Sequence, residues 1–252
     1  MQGRTAGGVC TVTLDSPHNR NALSAALVDE LLALLRSAVA DDAVRVVVLS
    51  HTGPVFCSGV DLSEAAAAVA SGAGPTARLG EVLVALWECP KPVVARVGGA
   101  ARAGGLGLVA AADIAVCSTA ATFAFTEVRL GVVPAVISAT VLPRLAPRAA
   151  AELFLTGDTF TGERAAEIGL VTVAVAEADL DDTVQRYVES LVRGGPAALA
   201  ATKRMLRAAP DGRPVAERLA ELTAFSAEHF TSAEGREGLA AFAARRDPAW
   251  VP

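Results

Sequence analysis

Lysine is almost missing from this 252-residue chain. Lys91 and Lys203 are the only two, and arginine supplies the remaining basic side chains. With 27 acidic residues against 22 basic ones the net charge is −5. No stretch gathers the Lys/Arg density that a nucleic-acid-binding face needs. The four cysteines, Cys10, Cys57, Cys89 and Cys117, contain no C-x-x-C pair, and His18, His51 and His229 are equally scattered. That spacing argues against a zinc site. Cys10 and Cys117 sit in apolar, strand-like runs, where a buried free thiol is the expectation. No apolar run reaches the roughly 18 residues of a membrane span. The opening MQGRTAGGVCTVTLD lacks the basic-then-apolar pattern of a secretion signal. The chain is therefore expected in the cytoplasm, with neither nucleic acid nor membrane among its partners.

What is abundant is Ala, Val and Leu: 52 % of residues are hydrophobic, enough for a sizeable core. GVCTVTLD (8–15) alternates and is β-branched, which predicts a strand. Ser24 caps an apolar-periodic run, ALVDELLALLRSAV, which predicts a helix. VRVVVLS (44–50) is continuously β-branched, as in a strand covered on both faces. Helical DLSEAAAAVA is broken by SGAGPT before a second helix at 77–90. KPVVARV and DIAVCS (113–118) are further strands, with GGLGLVAAA a short buried helix between them. Strands and helices interleave to about residue 178, and helices follow. The expectation is an α/β core over residues 1–178 and a C-terminal helical part over 179–252.

The order strand, glycine loop, helix occurs twice, at 44–70 and 91–112. Three readings of the glycines stand side by side. They permit close helix–strand packing. Alternatively Gly105-Leu106-Gly107-Leu108-Val109-Ala110 forms a dinucleotide turn, with Glu127 the ribose-binding acid, although GGAARA separates this turn from its strand. In the third reading FCSGVDL (56–62) and AGGLGL (103–108) each bring a free backbone N–H to a helix start. Two such groups converging on one carbonyl oxygen make an oxyanion hole, each donor worth roughly 2.7–4 kcal/mol.

Several stretches together resemble the crotonase superfamily, the enoyl-CoA hydratases and isomerases. They are NRNALS (19–24), HTGPVFCSGVDL (51–62), CPKPVVARVGGAARAGGLGLVAAADIAV (89–116), ATFAFTEVRLGVVPA (121–135), LTGDTFTGERAAEIGLV (155–171) and EGREGLAAFAARRDPAW (234–250). The resemblance implies a spiral of strand–strand–helix units with a C-terminal helical extension that supports homotrimers, or hexamers as dimers of trimers. It implies an acyl-CoA substrate and no separate cofactor, coenzyme A being part of the substrate. It places the oxyanion-hole amides at Ser58 and Gly104. Arg20, Ala22 and Leu23 would lie along the CoA moiety, and Ser58, Gly59, Val60 and Asp61 along the thioester path.

Typical hydratases of this family hold two glutamates over the substrate. By resemblance one falls at Glu127 and the other at Gly107, which carries no side chain. Adding water to a C=C bond needs water activation and proton delivery, whereas moving a double bond needs one carboxylate to take and return a proton. The expectation is therefore isomerisation by Glu127. A hydratase with a compensating group and a weakly active acyl-CoA-binding subunit are the alternatives. The apolar neighbours Phe125 and Val128 are expected to raise the Glu127 pKa. Asp61 either caps the next helix or approaches the CoA adenine. Ser138 resembles a feature of the branch that handles methylglutaconyl-type substrates. Lys203 reads as a solvated helical residue.

Overall fold

The computed structural model describes residues 1–71, 76–208 and 212–251. Strands β1 (Gln2–Ala6) and β2 (Val9–Leu14) precede helix α1 (Ala25–Ala40). Then come β3 (Val46–His51), β4 (Val55–Cys57), α2 (Leu62–Ala70) and α3 (Ala77–Trp87). Next are β5 (Val93–Val97), β6 (Ala100–Arg102), α4 (Gly104–Ala111), β7 (Ile114–Ser118) and β8 (Thr122–Ala124). A 3₁₀ turn, Thr126–Leu130, leads to α5 (Ala135–Val141), α6 (Pro147–Thr156), β9 (Phe160–Thr161), α7 (Gly162–Glu167) and β10 (Val173–Val175). Among the described residues the chain then runs through α8 (Leu180–Val192), α9 (Pro196–Arg207), α10 (Val215–Thr231) and α11 (Ala233–Ala244). The centre of the SGAGPT break, 72–75, lies outside the described residues, as does 209–211 of the helical tail.

The strands form a six-stranded sheet, β1-β2-β3-β5-β7-β10, and a four-stranded sheet, β4-β6-β8-β9. Consecutive strands alternate between the two: β3 then β4, β5 then β6, β7 then β8. Each pass adds one parallel strand to each sheet before a helix returns the chain, which is a spiral of the expected kind. Local sequence explains the parts. Ser24 Oγ accepts the Leu27 N–H at 3.3 Å and starts α1. The α1 face Leu27, Val28, Leu31, Leu32, Leu35 and Ala38 follows the helical period and is buried. Every residue of α4 is buried, as its all-round apolar sequence demands. All four cysteines are buried and unpaired.

The boundary expected at 178/179 does not separate two bodies. Leu180, Val184 and Val188 lie at successive turns of α8. They pack on Val46, Val48, Val94 and Val116 of the larger sheet. At about 1.5–3 kcal/mol for each fully buried aliphatic side chain, α8 is a layer of the core.

The small sheet positions three loops. β4, β6 and β8 are parallel, with Cys57 opposite Ala101, Ala101 opposite Phe123 and Arg102 opposite Ala124. Their carboxyl ends are therefore level. The chain leaves them side by side at Ser58, Ala103 and Phe125, where open α/β sheets place ligands.

Candidate active site

The first loop is tied down from behind. Asn21 is fully buried. Its Nδ2 donates to the Thr52 and Val55 carbonyls at 3.0 and 2.8 Å, and its Oδ1 accepts the Ser16 N–H at 2.7 Å. This pins residues 19–24 against the 51–62 loop. The Ser58 N–H donates to the Arg20 carbonyl at 3.1 Å. It is committed to that bond, which corrects the expected assignment of Ser58 as an oxyanion donor. Two residues on, Leu23 and Val60 form a parallel bridge. Leu23 N–H donates to the Gly59 carbonyl at 2.7 Å, and Asp61 N–H reaches the Leu23 carbonyl at 3.5 Å. Parallel pairing of this kind turns the N–H of the middle residue, Val60, to the opposite side.

That opposite side meets the second loop. A Cβ built on Gly59 would lie 3.2 Å from Gly104 N and 3.0 Å from the Ala103 Cβ. Gly59 itself has φ +91°, a conformation that suits glycine. Ala103 turns the chain into α4 at φ 46°, ψ −118°, a strained geometry that costs about 1–3 kcal/mol. Gly104 then opens α4, where first-turn N–H groups have no intrahelical acceptor. Gly105 serves packing, since its Cβ would fall 2.6 Å from the Cys57 carbonyl oxygen. A cavity of about 170 Å³ opens beside these loops, lined by Leu23, Val28, Val60, Ala68 and Leu79 among others. A larger one, about 620 Å³, lies between α9 and α10 and shares no residue with the loop cluster.

The third loop carries Glu127 in its 3₁₀ turn. The turn is joined to the second loop through Ala103 N–H, which donates to the Ala124 carbonyl at 3.2 Å. Glu127 is half-buried, and its Oε2 is buried with no hydrogen-bond partner among the described residues. Burial raises its pKa above the ordinary 4.5, against a smaller opposing effect of its own backbone.

Gly107 faces α5. A Cβ there would sit 2.8 Å from Ile137 Cγ2, 3.2 Å from Leu83 Cδ2 and 3.3 Å from Ile137 Cβ. Ile137 and Leu83 are 1 % and 4 % exposed. The space beside Gly107 is thus filled by branched apolar side chains, and Thr140 Oγ1 caps the Gly107 carbonyl at 3.2 Å.

The family described as enoyl-CoA hydratase/isomerase matches residues 4–251. The chain belongs to that family. An enoyl-CoA hydratase from Mycobacterium avium is 46 % identical, with a TM-score of 0.72 over 97 % of this chain and 94 % of that one. AtuE of Pseudomonas aeruginosa is 36 % identical, with a TM-score of 0.92 over 100 % and 99 %. Among curated relatives, the carnitinyl-CoA dehydratase of Escherichia coli K12 is 34 % identical over 252 residues, 97 % of this chain and 95 % of its own.

Within this crotonase-superfamily fold the remaining predicted residues separate. Arg20, at φ 58°, and the buried Ala22 and Leu23 border the first loop, and Gly59 and Gly104 approach closely beside them. Asp61 caps α2: its carboxylate accepts the Ser63 and Glu64 N–H groups at 3.0 and 3.3 Å. Its pKa is held below the usual range, chiefly by the Ser63 hydroxyl. Ser138 Oγ donates to the Ala135 carbonyl at 2.6 Å. Lys203 is not solvated: it is 8 % exposed and pairs with Asp113 at 2.7 Å, because α9 lies against the strand ends. Sequence reasoning did not single out Asn21, Ala103, Leu83 or Ile137. Asn21 and Ala103 carry a usable signal, lying next to Arg20 and Gly104. Leu83 and Ile137 carry none, being ordinary apolar residues far along the chain from Gly107.

Proposed function

We propose that this enzyme moves the double bond of a 3-enoyl-CoA thioester to the 2-position, with Glu127 as the proton shuttle. The observation that carries the reading is the filled space at Gly107. Ile137 and Leu83 occupy it, leaving Glu127 as the unpartnered carboxylate of the loop cluster. The amides of Val60 and Gly104 pin the thioester oxygen. Glu127 removes a proton from C2, and the electron pair of that C–H bond passes through the carbonyl to give a dienolate with its negative charge on the pinned oxygen. The carboxylic acid so formed returns the proton to C4, and the C2=C3 bond results. Charge and atoms balance without an oxidant, reductant or water, so no cofactor is called for. Burial supports this role, since a raised pKa makes the carboxylate a stronger base.

The CoA moiety runs along Arg20, Ala22 and Leu23 and past Gly59 to Asp61. Ser58 stays at this path through its side chain, its amide being engaged. Oligomer formation through the C-terminal helices is supported by α10, where no residue is buried. It exposes Val215, Leu219, Leu222 and Phe230. Trimers, or hexamers as dimers of trimers, in the cytoplasm complete the reading.

Hydration of 2-enoyl-CoA is the competing reading, favoured by relatives whose printed names are hydratase and dehydratase. Incubation with 3-enoyl-CoA and 2-enoyl-CoA in deuterated water, followed by mass and absorbance, separates the two. Isomerisation with deuterium uptake and no gain of water supports the proposal. Rapid conversion of 2-enoyl-CoA to the 3-hydroxy product overturns it, and CoA binding without turnover of either points to an acyl-CoA-binding subunit. Glu127→Gln is expected to lower kcat by about 10²–10⁴-fold.

A further inference from the structure

The far end of α4 is held by three cations, while its first residue, Gly104, borders the loop cluster. Arg144, between α5 and α6, donates from Nε to the Ala110 carbonyl at 3.2 Å and from Nη2 to the Ala112 carbonyl at 3.0 Å. Arg207, the last residue of α9, donates from Nη2 to the Ala111 carbonyl at 3.0 Å and to Asp113 Oδ1 at 2.6 Å. Lys203, one turn earlier, holds the other oxygen of Asp113 at 2.7 Å. It also donates to the Lys91 carbonyl at 3.1 Å. Asp113 Oδ2 accepts the Val93 N–H at 2.8 Å. Both guanidinium groups lie over Trp87, at 5.3 and 4.2 Å from its ring centroid. The Arg207 and Lys203 side chains are 10 % and 8 % exposed.

Arg144, Lys203 and Arg207 here gather about the Asp113 carboxylate, and the balance is made by the carbonyl end of α4. A helix C-terminus leaves carbonyls unsatisfied and carries partial negative charge, so buried cations belong there. The helix is only eight residues long. Its first residue is Gly104, and Ala103 before it is strained. The entry is fixed by the Ala103 N–H on the Ala124 carbonyl and the far end by the cations, so the two ends of this short helix together set its axis.

We infer that Arg207 and Arg144 are positioning residues: by clamping the α4 carboxyl end they aim the Gly104 N–H at the substrate oxygen. Through Arg207, the C-terminal helical region acts on the reaction. The inference rests on the Gly104 amide being a thioester donor. The role is directional, so it is separable from simple support of the fold.

The test uses butanoyl-CoA labelled with ¹³C at the thioester carbonyl, bound to the full chain, with the C=O stretch read by infrared difference spectroscopy. Hydrogen bonds from oxyanion amides lower that frequency whichever reaction the enzyme catalyses. The native protein is expected to show the shift. Arg207→Met is expected to lose at least half of it, with kcat falling about tenfold and KM for the CoA thioester changing less than about twofold. Arg207→Lys restores most of both. If Arg207→Met does not fold, Arg144→Met is read instead, because the Arg144 hydrogen bonds go to the Ala110 and Ala112 carbonyls and leave the Asp113 pairings in place. A folded variant that melts earlier but keeps the full shift and native kcat overturns the positioning role. Absence of any shift in the native protein overturns the donor assignment and the inference with it.

Discussion

Gly107→Ala is the sharpest probe of the packed space that distinguishes this site. In an ordinary helix interior the exchange stabilises by roughly 0.5–1 kcal/mol, because alanine loses less backbone freedom on folding. Here the added methyl lands 2.8 Å from Ile137 Cγ2 and 3.2 Å from Leu83 Cδ2. Ile137 is 1 % exposed and has no room to retreat. Overpacking of this kind costs about 1–3 kcal/mol, so the net expectation is a loss of about 0.5–2 kcal/mol. Ile137→Ala alone leaves a cavity and costs about 2–5 kcal/mol. In the double variant the methyl added at position 107 enters the room vacated by the Ile137 Cγ2. The combined loss should then fall short of the sum by about 1 kcal/mol or more. Urea unfolding at neutral pH reads all three values, with unchanged m-values confirming two-state behaviour. A Gly107→Ala protein at least as stable as the native one, or strictly additive losses, refutes this reasoning. It would mean that the space at Gly107 is open, which removes the reason for preferring isomerisation to hydration.

Two further outcomes follow from the same geometry. Burial raises the Glu127 pKa above that of the unfolded chain, so the folded state binds the proton more tightly and stability is lost as pH rises through that window. Glu127→Gln should therefore stabilise the protein at neutral pH, with the gain fading as pH falls from the raised folded pKa toward 4.5 and gone below it. Thermal melts across pH check this, and a gain that grows toward acid contradicts it. Gly59→Ala forces a side chain to φ +91° and puts its Cβ 3.2 Å from Gly104 N. A displacement of about 1 Å there should cost roughly 10²-fold in kcat/KM, with a retained far-ultraviolet spectrum showing that the fold survives.

The glycine readings show how far local pattern reaches. Sequence raised packing, a dinucleotide turn and an oxyanion donor as alternatives for one stretch. The structure divides the stretch among its residues: Gly105 and Gly107 pack against Cys57 and Ile137, while Gly104 opens α4 beside Gly59. Ser58 and Val60 illustrate a different limit. They lie two residues apart in one loop, and which N–H is left over depends on Arg20 and Leu23, whose pairing no local rule supplies. Lys203 fails for a related reason. Its polarity on a helix suggests solvent, but the carboxylate that holds it is Asp113, far back in the chain.

The elements were legible in the sequence, because β-branched runs, apolar periodicity and the Ser24 cap act over a few residues. It also marked Glu127, Gly104 and the bare position at Gly107. Which of these residues meet, and in what surroundings, depended on how distant segments pack. Three parallel strands ending level bring residues 58–61, 103–104 and 125–127 together. Ile137, far beyond Gly107 in the chain, packs into the space beside Gly107. Such contacts arise from pairing and packing between distant segments, and those interactions exist only once the chain has closed on itself.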